Sequence, residues 1–296
     1  MKICVVGLGL MGGSISLALK RAGRQVYGYD SSAKVLQYAL ANKIIDGMID
    51  GAAEDFSDCD VVFVALPPQA TLDFILKTRF KEDGVVCDIC GVKKFIEDGV
   101  YSRRKDVKYI GAHPMAGKEV SGVENACANL FDNANMVVTR GIYTDERAFS
   151  LIKTLTKEMG FARIVECSAE VHDRKIAYTS QLAHVVSNSY VKDGEISACL
   201  GFTGGSFQDM TRIAGVDENV WAALYLLNAD NLADKCDNLI VSLSAFSKAL
   251  KSAKESGDVC ALSDFLSVGA RAYRAGKAEE FFGEGIKITE LKSGKE

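Results

Sequence analysis

The sequence predicts an α/β protein in which an amino-terminal doubly wound parallel-sheet (Rossmann) domain is followed by an all-helical domain. Short apolar runs alternate with helical patterns from Lys2 to Ala112, as parallel strands with crossover helices do. A glycine-rich turn joins the first run to the first helix, and the strand signal disappears beyond Glu166 while helical patterns continue. A chain of 296 residues exceeds one ordinary domain, so two are expected, residues 1–167 and 168–296.

The first run, Lys2 to Gly7, is apolar from Ile3 to Val6, which fits a strand buried on both faces. It leads into Gly7-Leu-Gly9-Leu10-Met11-Gly12-Gly-Ser14, after which Ile15, Leu17, Ala18, Leu19 and Ala22 keep a helical apolar face until Gly23. A lone G-x-G-x-x-G is weak evidence. Here it stands between a strand and a helix, and the next strand, Gln25 to Tyr29, ends in an acid, Asp30. In such a unit Gly7 permits the turn, Gly9 lets the backbone approach a pyrophosphate, and Gly12 lets the helix pack close to the strand. The helix amino terminus, at Leu10 and Met11, offers unpaired N–H groups to the phosphates. Asp30 is placed to accept hydrogen bonds from the adenosine ribose and to repel a 2′-phosphate, which favours NAD over NADP. Ser31, Ser32 and Lys34 leave NADP possible. The competing reading is a glycine turn that holds no nucleotide.

Ser32 to Asn42 reads as a helix, Asp60 to Ala65 as a buried strand stopped at Pro67-Pro68, and Gln69 to Lys77 as the next helix. A strand from Gly84 to Asp88 and a helix from Val92 to Tyr101 precede the run Val107 to Ala112. That run delivers His113 into a loop broken by Pro114, Gly117 and Gly122. The carboxyl ends of parallel strands share an edge, so Leu66 and Pro67 should join the glycine turn as cofactor contacts, with His113 near the nicotinamide end. Only His113, His172 and His184 are present, so a proton acceptor for neutral pH has few sources. The competing reading of His113 is a strand cap bonded to a nearby carbonyl. Met136 to Thr139, a helix from Asp145 to Met159, and Arg163 to Glu166 are expected to complete the sheet.

With 35 basic and 39 acidic side chains the formal charge is -4, which argues against a nucleic-acid partner. No apolar run approaches the roughly 18 residues of a membrane span, and the chain opens on a strand rather than a leader, so a soluble cytoplasmic protein is expected. The nine cysteines are an odd number without framework spacing, which suits reduced thiols. Cys87 and Cys90 have redox or half-zinc spacing but lack a second pair, so no metal is expected.

Helical patterns occupy Glu170 to Val191, Val220 to Leu232, Ala233 to Lys254 and Val259 to Ala275, and Lys292 to Glu296 is expected to fray. Their apolar faces, with Leu239, Ile240, Leu243 and Phe246 among them, are too wide for solvated helices. They must bury one another or cross a two-fold interface, and a homodimer is the favoured reading. Two segments look more like site than scaffold. In His172-Asp173 to His184, helical spacing puts Gln181 and His184 on one face. In Gly201 to Ala214, a glycine loop is followed by Asp209 and Arg212 on the first turns of a helix. Arg212 suits a bidentate grip on a carboxylate, or else an ion pair with Asp209.

These residues together resemble the prephenate dehydrogenase family, which oxidatively decarboxylates prephenate or arogenate in tyrosine biosynthesis. The resemblance covers essentially the whole chain. It rests on Gly7 to Ser14, on His113-Pro-Met-Ala-Gly-Lys-Glu119 with Ser121-Gly122, on Thr179 to His184, and on Gly204-Gly-Ser-Phe-Gln-Asp-Met-Thr-Arg212. It implies an NAD-dependent enzyme in which His113 takes the proton of the ring hydroxyl. It further implies that Arg212 binds the ring carboxylate, His184 contacts the pyruvyl side chain, Glu119 helps gate the site, and Gly205 lies in the substrate loop. One position departs: where many members carry an orienting serine, this chain has Gly91, so a water, the Cys90 thiol or a cofactor group would substitute. The rival within the same fold is a β-hydroxyacid or imino-acid dehydrogenase, which relies on a helical lysine instead.

Overall fold

The computed structural model describes residues 1–49, 55–199, 201–277 and 285–291, so the tail from Lys292 lies outside the described residues. The chain runs β1 (Ile3–Val6), α1 (Leu10–Arg21), β2 (Val26–Tyr29), α2 (Ala33–Ala41), β3 (Gly47–Met48), β4 (Asp55–Phe56), β5 (Val61–Val64), α3 (Pro68–Lys77), β6 (Arg79–Phe80) and β7 (Val85–Asp88). It continues through α4 (Lys94–Arg103), β8 (Lys108–Pro114), β9 (Asn135–Thr139), α5 (Glu146–Glu158) and β10 (Arg163–Cys167). The second half holds α6 (Ala169–Ile176), α7 (Leu182–Tyr190), α8 (Gly205–Thr211), α9 (Glu218–Leu226), α10 (Ala229–Ser256), α11 (Cys260–Lys277) and β11 (Lys287–Glu290).

Among the described residues the main sheet has the order β11-β10-β9-β8-β7-β5-β1-β2-β3. The strands from β8 to β3 in that order are parallel, and the direction of travel along the sheet reverses between β1 and β5. That reversal opens a crevice at the carboxyl edge. Strand side chains alternate between two cores. Ile3, Val5, Val61 and Phe63 face α1 and α5, whereas Cys4, Val6, Val62 and Val64 face α3 and α4. The result is a three-layer sandwich with apolar packing on both sides, which is why these strands read as continuous apolar runs.

The structure departs from a uniformly parallel sheet at its far edge. β9 pairs antiparallel with β8, setting His113 opposite Val137, and β10 follows β9 in parallel. Lys287–Glu290, expected inside the helical half, instead returns to the sheet and pairs antiparallel with β10.

Helix starts follow local chemistry. Ser32, Asp145, Ser168 and Asp217 each accept a backbone N–H at the start of α2, α5, α6 and α9. The helix expected to run from Val220 to Leu232 is broken at Leu227 and Asn228, so α10 begins at Ala229. α10 ends at Gly257, whose φ of 72° only glycine adopts readily. Phe246 of α10 meets Phe265 of α11 with ring centroids 5.5 Å apart. Much of the apolar face of these two helices nevertheless stays open, with Val241 69%, Ile240 59% and Val268 59% exposed. No helix among the described residues is long and apolar enough to cross a membrane.

Candidate active site

The glycine turn is shaped for close approach. Gly7 has φ +83°, and a Cβ there would lie 2.5 Å from the Ala65 carbonyl oxygen of the neighbouring strand end. A Cβ on Gly12 would stand 1.8 Å from the Gly7 carbonyl oxygen, so no side chain fits. Gly9 is different: its Cβ direction meets nothing within 4 Å. Gly9 is also the N-cap of α1 and provides no side-chain cap, which leaves the first turn of α1, at Leu10 and Met11, without a capping side chain. Asp30, at the end of β2, accepts from the Leu8 N–H at 2.8 Å and the Ser32 N–H at 2.8 Å, holding its carboxylate beside the turn. The Ser32 hydroxyl accepts from Val35 N–H at the start of α2. Leu66 packs against Gly7, and Pro67 is the N-cap of α3, so both border the same edge. An uncapped helix end, an open glycine and an acid beyond the second strand fit a dinucleotide.

His113 lies at the carboxyl end of β8, three strand spacings from β1, or roughly 14 Å at about 4.8 Å each. Its ring is half-buried. His113 Nδ1 is 2.9 Å from His172 Nε2, and His172 Nδ1 is 2.6 Å from Asp173 Oδ1. Asp173 also accepts from the Lys93 N–H at 2.8 Å and the Lys94 N–H at 3.0 Å, so it caps α4 as well. Beneath the strand end, fully buried Lys93 donates to Asp88 and to the Ala112 carbonyl oxygen, while Tyr109 O–H donates to the other Asp88 oxygen. Burial first, and then the charges of His172 and Lys93, hold the His113 imidazole well below its ordinary value. It is therefore neutral, as a proton acceptor must be.

The helical half brings further residues to this edge. Arg212, expected near the start of a helix and open to pairing with Asp209, caps the end of α8 and is ion-paired with Glu119 in the loop beyond His113. His184 on α7 donates from Nδ1 to the Ile213 carbonyl at 3.0 Å and lies against Trp221, with ring centroids 3.9 Å apart and the planes tilted by 42°. One turn along α9, Leu224 sits 3.6 Å from the position a Gly91 Cβ would take, which is itself 3.8 Å from His113 Nε2. Gly205 opens α8 and is exposed.

Residues 15–166 match the family model for the nucleotide-binding domain of prephenate dehydrogenase, and residues 168–264 match that for its dimerization domain. The chain belongs to the prephenate dehydrogenase family. It is 33% identical to the prephenate dehydrogenase of Bacillus subtilis over 251 residues, 80% of this chain and 67% of that one. A cyclohexadienyl dehydrogenase of Zymomonas mobilis is 29% identical, with 86% of this chain and 90% of that one aligned. The crystal structure of prephenate dehydrogenase from Aquifex aeolicus, in complex with hydroxyphenyl propionate and NAD+, superposes with a TM-score of 0.80 at 27% identity, covering 93% of this chain and 98% of that one.

As a family member the chain is an NAD-linked dehydrogenase of tyrosine biosynthesis, with a nucleotide-binding domain followed by a dimerisation domain. Within this prephenate dehydrogenase framework Gln181, expected on the face of His184, meets the same helix: it ends a π turn over Ala177–Gln181, and its Nε2 donates to the Leu224 carbonyl of α9, while His184 meets Trp221 of α9. Gln181 is 2% exposed, and its Oε1 accepts from Asn228 at 2.7 Å. The Asn228 amide also donates to the Asp173 carbonyl at 2.9 Å, so Gln181 belongs to the support behind His172. The Cys90 thiol, considered as a partner for His113, turns instead to the Leu66 carbonyl at 3.1 Å and to Thr71 at 3.2 Å. Sequence reasoning marked the segment from His172 to His184 as unusual but assigned neither His172 nor Asp173 a place. The adjacent pair at a helix start was the available signal. The lysine of this helix, Lys175, is exposed. Among the described residues no three His, Cys, Asp or Glu side chains gather as a metal site, and all nine cysteines are free thiols.

Proposed function

We propose that this enzyme oxidatively decarboxylates prephenate to 4-hydroxyphenylpyruvate, with NAD rather than NADP as acceptor, as a cytoplasmic homodimer joined through its helical half. The observation that carries this reading is the imidazole of His113 at the crevice edge of the sheet, backed by His172, with the guanidinium of Arg212 drawn to the loop that follows it. His113 takes the proton of the ring 4-hydroxyl, electron density moves toward the hydride leaving the same carbon, and loss of the ring carboxylate as CO2 makes the ring aromatic. When bound, NAD supplies the hydride acceptor. The residues that would hold it are Gly7, Gly9, Leu10, Met11, Gly12, Asp30, Leu66 and Pro67. Arg212 exchanges Glu119 for the substrate carboxylate, Glu119 thereby gates entry, His184 meets the side chain, and Gly205 borders the substrate loop. A positioned general base contributes on the order of a hundred- to ten-thousand-fold.

The open apolar faces of α10 and α11, with Ile240, Val241, Leu243, Leu266 and Val268 exposed, support the homodimer, since contiguous exposed apolar surface marks interfaces. Domains of 1–167 and 168–296 follow from the change of architecture at α6, with β11 returned to the first. A second reading, arogenate as substrate, is favoured by one contact. Because Ile213 O can only accept, His184 Nδ1 carries the hydrogen of that contact, and in this Nδ1–H tautomer Nε2 is an acceptor, which suits the ammonium of arogenate better than the keto oxygen of prephenate. Initial rates with each substrate and each nicotinamide cofactor decide between them. NADH formation with 4-hydroxyphenylpyruvate is expected, and no turnover of either substrate would end the proposal.

A further inference from the structure

We propose that Asp173 and His172 hold His113 as its Nδ1–H tautomer, so that Nε2 is the atom that takes the substrate proton. This rests on His113 as the base of the proposed reaction. A carboxylate only accepts, so the 2.6 Å contact with Asp173 places the hydrogen of His172 on Nδ1. The Nε2 of His172 is then a lone pair facing His113 Nδ1 at 2.9 Å, and the hydrogen of that bond belongs to His113. What remains on His113 is an unprotonated Nε2. It faces the gap left at Gly91, where a Cβ would still be 3.8 Å away.

The alternative, an imidazolium at His172 donating to His113, would bury a second cation beside Lys93. His172 is 2% exposed, and burial is the largest influence on it, favouring the neutral ring. The carboxylate cannot swing away to release the arrangement, because both its oxygens accept backbone N–H groups at the start of α4. Its main-chain carbonyl is tied to Asn228, which is tied to Gln181. His172 and Asp173 are thus positioning residues that act through His113, from the ring nitrogen opposite the gap at Gly91.

The test reads the tautomer directly. In the full-length protein with NAD, long-range nitrogen–carbon-proton correlation spectra resolve three histidines, assigned with His113→Asn and His172→Gln. The expected result is a hydrogen on Nδ1 of both His113 and His172, and a His113 ring protonated on Nε2 overturns the proposal. In parallel, His172→Leu is expected to lower kcat by about a hundred- to ten-thousand-fold, as misplaced tautomers do, with KM for substrate within about threefold. His172→Gln restores an acceptor and should recover most of that loss. A folded His172→Leu with wild-type kcat also overturns the proposal, and if that variant does not fold, the wild-type tautomer decides. Absence of turnover with either substrate would count against the proposed reaction while leaving the tautomer measurement to stand alone.

Discussion

Arg212, at the carboxyl end of α8, is ion-paired with Glu119 in the loop that leaves β8, tying the helical half to the sheet edge at the mouth of the site. The two side chains are 61% and 50% exposed, so the pair is screened and contributes little to stability. Arg212→Ala should therefore fold normally while raising KM for substrate by about tenfold to a hundredfold, the range of a charge-assisted hydrogen bond. Steady-state kinetics alongside a melting curve check this. A large drop in melting temperature would make Arg212 structural.

His113 must be neutral to accept a proton. Because its pKa is held well below 6.5, kcat/KM should stay level as the pH falls through that value and decline only in more acidic buffer. A pH profile with an acid limb at or above 6.5 would contradict it.

The same shifts set a stability trend. His113 and His172 both titrate lower in the folded chain than the ordinary 6.5, so below that pH the unfolded chain holds the extra protons. Stability from these two groups is present above 6.5 and is lost as the pH falls toward the folded-state values. Urea midpoints at about pH 7.5 and about pH 5.5 should differ in that direction, and the difference should shrink in the double variant His113→Asn, His172→Gln.

Lys93 and Asp88 are both fully buried and paired with each other, Lys93 donating further to the Ala112 carbonyl and Asp88 accepting further from Tyr109. Lys93→Met leaves the Asp88 charge uncompensated and should destabilise the fold by about 3–5 kcal/mol. Adding Asp88→Asn should recover part of this, measured by urea denaturation.

The two glycines of the turn should separate binding from folding. Gly9→Ala adds a methyl to open space, so the protein should fold while NAD binding weakens by about tenfold or more, read by titration calorimetry. Gly12→Ala drives a methyl into the Gly7 carbonyl and should disrupt the turn itself, visible as a lower melting temperature.

Local pattern made much of the architecture legible. Ile3 to Val6 has to be a buried strand because all four side chains are apolar, and the glycines after it permit a tight turn before α1. His113 could be placed at a strand end because Pro114 and the glycines beyond it stop regular structure. The open faces of α10 and α11 were likewise visible as apolar stripes too wide for lone helices.

Periodicity reports which side chains are buried but carries no information about strand direction, so the antiparallel pairing of β9 and the return of Lys287–Glu290 to the sheet came only with the fold. The π turn that ends at Gln181 and the burial of that side chain also came only with the fold, since a single extra residue in a turn leaves no mark on composition. The amino-acid sequence by itself determined the strand, turn and helix that present the dinucleotide edge, and the identity of the few side chains able to accept a proton there. Only the tertiary structure decided that His172 backs His113 and that Glu119 meets Arg212. Those partners are separated by long stretches of chain, and no local rule of spacing can express a distance that packing between two domains creates.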